Sequence, residues 1–299
     1  MDIAKSGEEL IKICKEEGIS LSEYAIRREM EDSDLSRDEV IKRMRKVLDA
    51  MKNSAKEARE KEVYSVSGLI GGDAYKLQQY LKSGKSLTGD TMVLAMAMAL
   101  SSSEVNASMG KIVACPTAGS CGILPAVILT AGERLHKNDE ELMQGLFAAA
   151  AVGLIIGRNA TFAGAEGGCQ AECGSAAAMA SAAVVELMGG TPKMSLDAGA
   201  IVFKNILGLV CDPVAGLVEI PCAKRNASGA VSALCTADLV MAGVESKIPF
   251  DDALQAMYKV GRELPASLRE TAQGGVAITR AGLALKKKVF GENWFKVIM

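Results

Sequence analysis

Histidine occurs once among 299 residues, and Phe, Trp and Tyr together make up only 4%. The single histidine, His136, lies in the charged run Glu133-Arg-Leu-His136-Lys-Asn and reads as a surface residue near a helix C-terminus. So few aromatics exclude a core built on large rings. With 49% apolar residues, the interior has to be filled by Ala, Leu, Val, Ile and Met, which suits closely packed helices. Charge of one sign is also lacking: a net charge of −2 offers no basic surface to nucleic acid. A bilayer-spanning run is missing too. The longest uncharged stretch, Leu142 to Gly157, has 16 residues against the roughly 20 of a spanning helix, so a membrane partner is not expected. β-branched residues never alternate as strands demand. Met1–Glu31 is charged throughout and has no apolar segment of a secretory signal. Eight cysteines in such a chain read as reduced thiols, metal ligands or core residues, not as a disulfide framework. The expected compartment is the cytoplasm.

The first 62 residues carry three capping-box patterns, Ser6-x-x-Glu9, Ser20-x-x-Glu23 and Ser36-x-x-Glu39, each leading into charged amphipathic sequence. They predict three solvent-facing helices, the last one long. Beyond Val63 the composition shifts to Gly, Ala and Met. Apolar helices are expected over Thr91–Ser103, Pro125–Leu135, Glu140–Gly157, Glu172–Met188, Ala198–Leu209, Ala227–Val244 and Phe250–Gly261. Gly84-Lys85-Ser86 has the ending of a phosphate-binding loop, but Gln79 stands where its upstream glycine is required, and the match is dismissed. The fold class read from these patterns is all-α, a single unit over 1–299 with peripheral helices over 1–62 and a helical core over 63–299.

The chemistry sits in the cysteines. Cys169 lies in Ala165-Glu-Gly-Gly-Cys169-Gln-Ala-Glu-Cys173-Gly174, and two more frame Cys211-Asp-Pro-Val-Ala-Gly-Leu-Val-Glu-Ile-Pro-Cys222. Glycines let backbone approach a bulky inorganic group, and Pro213 and Pro221 fix the chain beside the two framing thiols. Cys169, Cys211 and Cys222 are the candidate metal ligands. Cys173, four residues after Cys169, would share its helix face, so a four-thiolate site for zinc or a closed electron-transfer cluster stays open, as does a set of unligated core thiols. Cys115 and Cys121 flank Pro116-Thr-Ala-Gly-Ser120 ahead of a helix, either a carboxylate cradle or a tight loop between core helices. Cys14 and Cys235 read as small buried hydrophobes.

Gly167-Gly-Cys169-Gln, the Cys211–Cys222 segment, the following Arg225-Asn-Ala and the Pro116–Pro125 loop resemble the iron–sulfur-dependent L-serine dehydratases, specifically the separate alpha subunit of the two-chain form. The strong match runs from about Ser86 to Gly243. The resemblance implies a 4Fe–4S cluster held by Cys169, Cys211 and Cys222, with Cys173 a neighbour and one iron left open to substrate. It implies an L-serine ammonia-lyase giving pyruvate and ammonia without pyridoxal phosphate, the open iron acting as a Lewis acid on the substrate hydroxyl. A partner beta subunit is implied as well. Some single-chain relatives cap the open iron with a C-terminal cysteine; this sequence ends Lys296-Val-Ile-Met299, so that feature is expected to be absent or to come from the partner. A related lyase acting on L-cysteine or L-threonine would share the ligands. The general base has no clear candidate: Glu166 and Glu172 flank Cys169 and are conceivable bases or solvated carboxylates. Lys224, Arg225 and Asn226 could bind a carboxylate, orient the cluster, or serve as caps.

Overall fold

A computed structural model describes residues 3–291; the terminal Lys296–Met299 segment singled out above lies outside them. The three serine-led patterns act as caps. Ser6, Ser20 and Ser36 each accept the backbone N–H of Glu9, Glu23 and Glu39 at the start of α1 (Gly7–Glu17), α2 (Leu21–Ser33) and α3 (Arg37–Glu60). At Ser36 the Glu39 carboxylate also takes the cap's own N–H, completing the reciprocal box. These helices are more than a solvent-facing skirt. Leu10, Leu21, Tyr24, Leu48 and Met51 join the same continuous core as the residues beyond Val63.

The chain continues through α4 (Asp73–Lys82), α5 (Asp90–Ala107), α6 (Ile123–Leu135), α7 (Asp139–Asn159), the single turn α8 (Gly164–Gly167) and α9 (Ser175–Leu187). It closes with α10 (Pro192–Ile206), α11 (Cys222–Met241), α12 (Phe250–Glu263) and α13 (Arg280–Phe290). Among the described residues no strand forms. Two isolated bridges, Tyr64 with Gly71 and Cys211 with Arg269, are all that the strand-like stretches amount to, and the all-α expectation holds.

α9 is the central rod. Its run Ser-Ala-Ala-Ala-Met-Ala-Ser-Ala-Ala is buried on every side, and α6, α7, α10 and α11 all pack on it. Small side chains make this possible, because they let neighbouring backbones approach closely; a helix that is apolar all round belongs in a core. α7 is long and apolar enough to cross a membrane by length and composition, and two-thirds of its apolar window is buried in this packing, at 67%.

The helix starts that differ most from the sequence reading are those of α10 and α11. α10 starts at Pro192 behind the Thr191 cap, and ends at Ile206. α11 begins at Cys222 itself, five residues before the expected Ala227; Pro221, unable to continue a ladder backwards, marks the start. Cys14 is buried as expected, whereas Cys235 is exposed on α11, because the small-residue spacing there leaves one face of the helix outside the core.

Candidate active site

Three segments deliver the predicted thiols to one place. Cys169 stands between α8 and a single π-helical turn, Gln170–Gly174, that runs into α9. Gln170 fixes this junction from within the core: its amide donates to the carbonyls of Gly167 and Met257, each at 3.0 Å, and its oxygen accepts the Gly208 N–H at 2.9 Å. Cys211 is held between two backbone bonds, its N–H donating to Leu268 and its carbonyl accepting from Glu270. Cys222 opens α11 directly after Pro221. All three are buried, at 2%, 3% and 8% exposure, so whatever they hold is shielded from water.

The thiols feel one another. Cys169, Glu172 and Cys222 all act on Cys211, and Cys169 and Glu172 act on Cys222. Burial is the main force pushing Cys222 up to about 12, and it drives Cys211 well above the ordinary thiol range. Cys169 goes the other way, because Cys173 donates a hydrogen bond to it and, against burial, Arg225 adds positive charge nearby. The same bond raises Cys173, with burial reinforcing it. Cys169 and Cys173, four residues apart across the π-turn, are thus pushed in opposite directions by their surroundings.

Arg225 is the fixed cation of the site. Its Nη1 donates to the Val210 carbonyl at 2.8 Å, and Nη2 lies 2.9 Å from Asp212 Oδ1, an ion-pair contact. Burial opposes its charge, but Cys169 and Asp212 outweigh that. Asn226 is fully engaged with backbone: its amide donates to Gly119 at 2.7 Å and to Cys222 at 2.9 Å, and its oxygen accepts the Gly122 N–H at 2.8 Å. It is a latch between the Pro116–Pro125 loop and α11, with no group left for a carboxylate. Lys224 pairs with Asp73.

The loop itself is a 3₁₀ turn, Ala118–Ser120, ahead of α6. The N–H groups of Thr117, Ser120, Cys121 and Gly122 are donated to Ser120 Oγ, Thr117, Ala118 and Asn226, so these four do not serve an anion. Its hydroxyl does reach the site: Thr117 Oγ1 donates to Glu172 at 2.9 Å. Glu172 is packed between this loop and Cys211, and burial is the chief cause raising its carboxyl to about 6. Glycines make room for it. A Cβ on Gly164 would lie 2.7 Å from Glu172 Oε2 and 3.0 Å from Cys211 Sγ, and one on Gly119 would lie 3.1 Å from Oε1. Glu166 is exposed, and His136 caps α6 in a left-handed conformation.

Residues 16–277 match the family model described as serine dehydratase alpha chain. The chain belongs to that family. It is 49% identical over 284 residues to the probable L-serine dehydratase alpha chain of Bacillus subtilis (strain 168), covering 95% of this chain and 94% of that one. To the L-serine dehydratase alpha chain of Peptoniphilus asaccharolyticus it is 46% identical over 288 residues, 96% of this chain and 99% of the other. L-serine dehydratase 1 of Escherichia coli (strain K12) matches at 34% over 285 residues, which is 92% of this chain and 61% of that protein.

For a serine dehydratase alpha chain, the donor set is compatible with an iron–sulfur cluster. Among the described residues no three His, Cys, Asp or Glu side chains converge tightly enough on one metal ion, as a mononuclear zinc site requires. A cluster takes its thiolates on separate irons, and three buried, mutually interacting sulfurs beside a fixed arginine suit it. Sequence reasoning missed Asp212, which anchors Arg225, and the whole segment after α12 that brackets Cys211. Only the Gly274-Gly275 pair hinted at a special turn there.

Proposed function

We propose that this chain is the cluster-bearing alpha subunit of an L-serine ammonia-lyase, which converts L-serine to pyruvate and ammonia together with a separate beta subunit. Cys169, Cys211 and Cys222 would hold a 4Fe–4S cluster. The observation that carries the proposal is that these three thiols, from three separate segments, are all buried and act on one another in a chain of this family. When bound, the cluster would supply a Lewis-acidic iron to the substrate hydroxyl.

The chain's own residues do the rest. Cys173 donates to Cys169 and so favours its thiolate. Arg225, pinned by Asp212 and Val210, offsets negative charge on the sulfurs from inside the protein. Unpaired with a metal, Cys211 and Cys222 hold their protons, so loading must release them. Glu172, with its carboxyl raised to about 6, stands beside Cys211 and is the nearest group able to take up a proton near neutral pH. Thr117 and Asn226 fix the loop that faces it.

The test is iron and acid-labile sulfide on protein purified without oxygen, followed by a serine-to-pyruvate assay with the beta subunit present. About four of each per chain is expected, with pyruvate formed. Zinc without sulfide, or a loaded complex inert to L-serine, would refute the proposal.

A further inference from the structure

A cleft of about 780 Å³ opens between α2, α3 and α7, and Cys169, Cys211 and Cys222 are not among its walls. Each helix gives it one face. On α7, Ala150, Gly153, Leu154 and Gly157 line it at the spacing i, i+3, i+4 and i+7. On α3, Val40, Met44 and Val47 do the same. Met179 and Phe162, also in the wall, close against α7 because its glycines have no side chain. A Cβ on Gly153 would lie 2.9 Å from Met179 Cε, and one on Gly157 would lie 3.0 Å from the Phe162 ring. Leu154 and Ile3 belong to the same wall and are each 52% exposed, so the lining stays apolar out to water.

Five charged side chains line the cleft, and they fall into two groups. On α2, Arg28 pairs with Asp32 and, at 2.7 Å, with Glu31, while Glu29 accepts the Ser33 hydroxyl at 2.6 Å. Arg43 on α3 and Arg158 on α7 have neither an ion pair nor a hydrogen bond among the described residues. Glu39, one turn before Arg43, is turned to the Ser36 cap and feels Arg43 only as a nearby charge. The acids of the cleft thus have their donors, and two guanidinium groups have no acceptor. A guanidinium fork matches a carboxylate. An apolar cleft of this size holds a ligand by burying its apolar surface, with a few polar groups to orient it.

We propose that this cleft binds a small carboxylic acid with an apolar body, its carboxylate taken by Arg43 and Arg158 and its chain lying along the Ala150–Gly157 face of α7. Serine has no apolar body to fill such a space, so the site is separate from the amino-acid reaction and the inference stands whether or not the chain deaminates serine. The wall also includes Pro116, whose neighbour Thr117 donates to Glu172; the cleft and the candidate active site share that loop.

The experiment titrates decanoate, kept below its micelle-forming concentration, into the full-length chain and into its complex with the beta subunit, followed by calorimetry. Saturable binding of one molecule per chain is expected in both. Octanoate, two methylenes shorter, should bind about tenfold more weakly. The double variant Arg43→Ala with Arg158→Ala should keep its Tm and weaken decanoate about tenfold or more, while leaving the uncharged decanol unchanged. Ala150→Phe, which fills the cleft, should weaken both. Absence of saturable binding in either preparation of wild type overturns the inference. So does an undiminished decanoate affinity in the double arginine variant, which would reduce the binding to apolar adsorption. Binding to the chain alone and not to the complex overturns it as well, by making the cleft a subunit contact.

Discussion

The side chain of Asn226 donates to the Gly119 carbonyl at 2.7 Å while the same residue sits one turn into the helix that begins at Cys222. Two elements 107 positions apart are thereby locked in one geometry. The loop bearing Thr117 cannot drift without pulling on the turn that carries a candidate ligand.

Asn226→Ala should accordingly damage both stability and the site. It removes three hydrogen bonds from a residue that is 1% exposed and strands the Gly122 N–H in the core. The expected loss is on the order of 3 kcal/mol, read as a lower Tm. Iron content should fall in the same preparation. A variant that melts like wild type and loads iron fully would show the latch to be incidental.

The four clustered cysteines should divide three to one. Single Ala replacements of Cys169, Cys211 or Cys222 are expected to lower iron and abolish pyruvate formation. Cys173→Ala should keep its iron, since the proposed cluster takes only the other three thiols and Cys173, held well above the ordinary thiol range, stands beside them as a neighbour. Iron and sulfide analysis of the four proteins decides the matter. Loss of metal in Cys173→Ala would instead indicate a four-thiolate site.

The sequence made the helices, their caps and the three thiols legible because these are local signals. A serine three residues before a glutamate needs no knowledge of the fold, and neither does a Gly-framed cysteine. It did not reveal that Cys222 starts a helix, since the small residues after it extend a helical pattern in which the first turn has no mark beyond Pro221. Nor could it place Glu270 beside Cys211. That contact is made by a backbone bond across a long chain separation, and backbone bonds leave no trace in side-chain identity. Asp212 was hidden for a related reason: beside Pro213 it reads as a turn residue, and only the fold brings Arg225 to it.

Gly261 supports the site from outside. On α12 it faces Gly167, just ahead of Cys169, so closely that a Cβ would lie 2.6 Å from the Gly167 Cα and 2.8 Å from its carbonyl oxygen. The obstacle is backbone, which cannot rotate aside. Gly261→Ala should cost about 1–3 kcal/mol and push the Cys169 junction out of register. The measurement is thermal melting together with iron content. A Tm within error of wild type would mean that the two segments part more easily than their packing implies.

Glu104 makes stability depend on pH in an uncommon direction. Its Oε1 accepts the first N–H groups of α4, from Asp73 at 2.7 Å and Ala74 at 3.3 Å, while Oε2 is buried without a partner. Burial dominates over those two bonds and raises the carboxyl from 4.5 to about 7. The folded protein therefore holds this proton more tightly than the unfolded chain. Below pH about 4.5 both states are protonated and the group costs nothing. Between 4.5 and 7 the unfolded chain ionises first, and stability drains as pH rises. Above 7 the penalty is complete, on the order of 3 kcal/mol for a shift of this size. Glu104→Gln keeps the acceptor for α4 and removes the titration. It should melt close to wild type near pH 4.5 and above it at pH 8, the gap opening across the interval between. Denaturation midpoints measured over that range check this, and a gap that stays constant with pH would show that the Glu104 carboxyl does not titrate there.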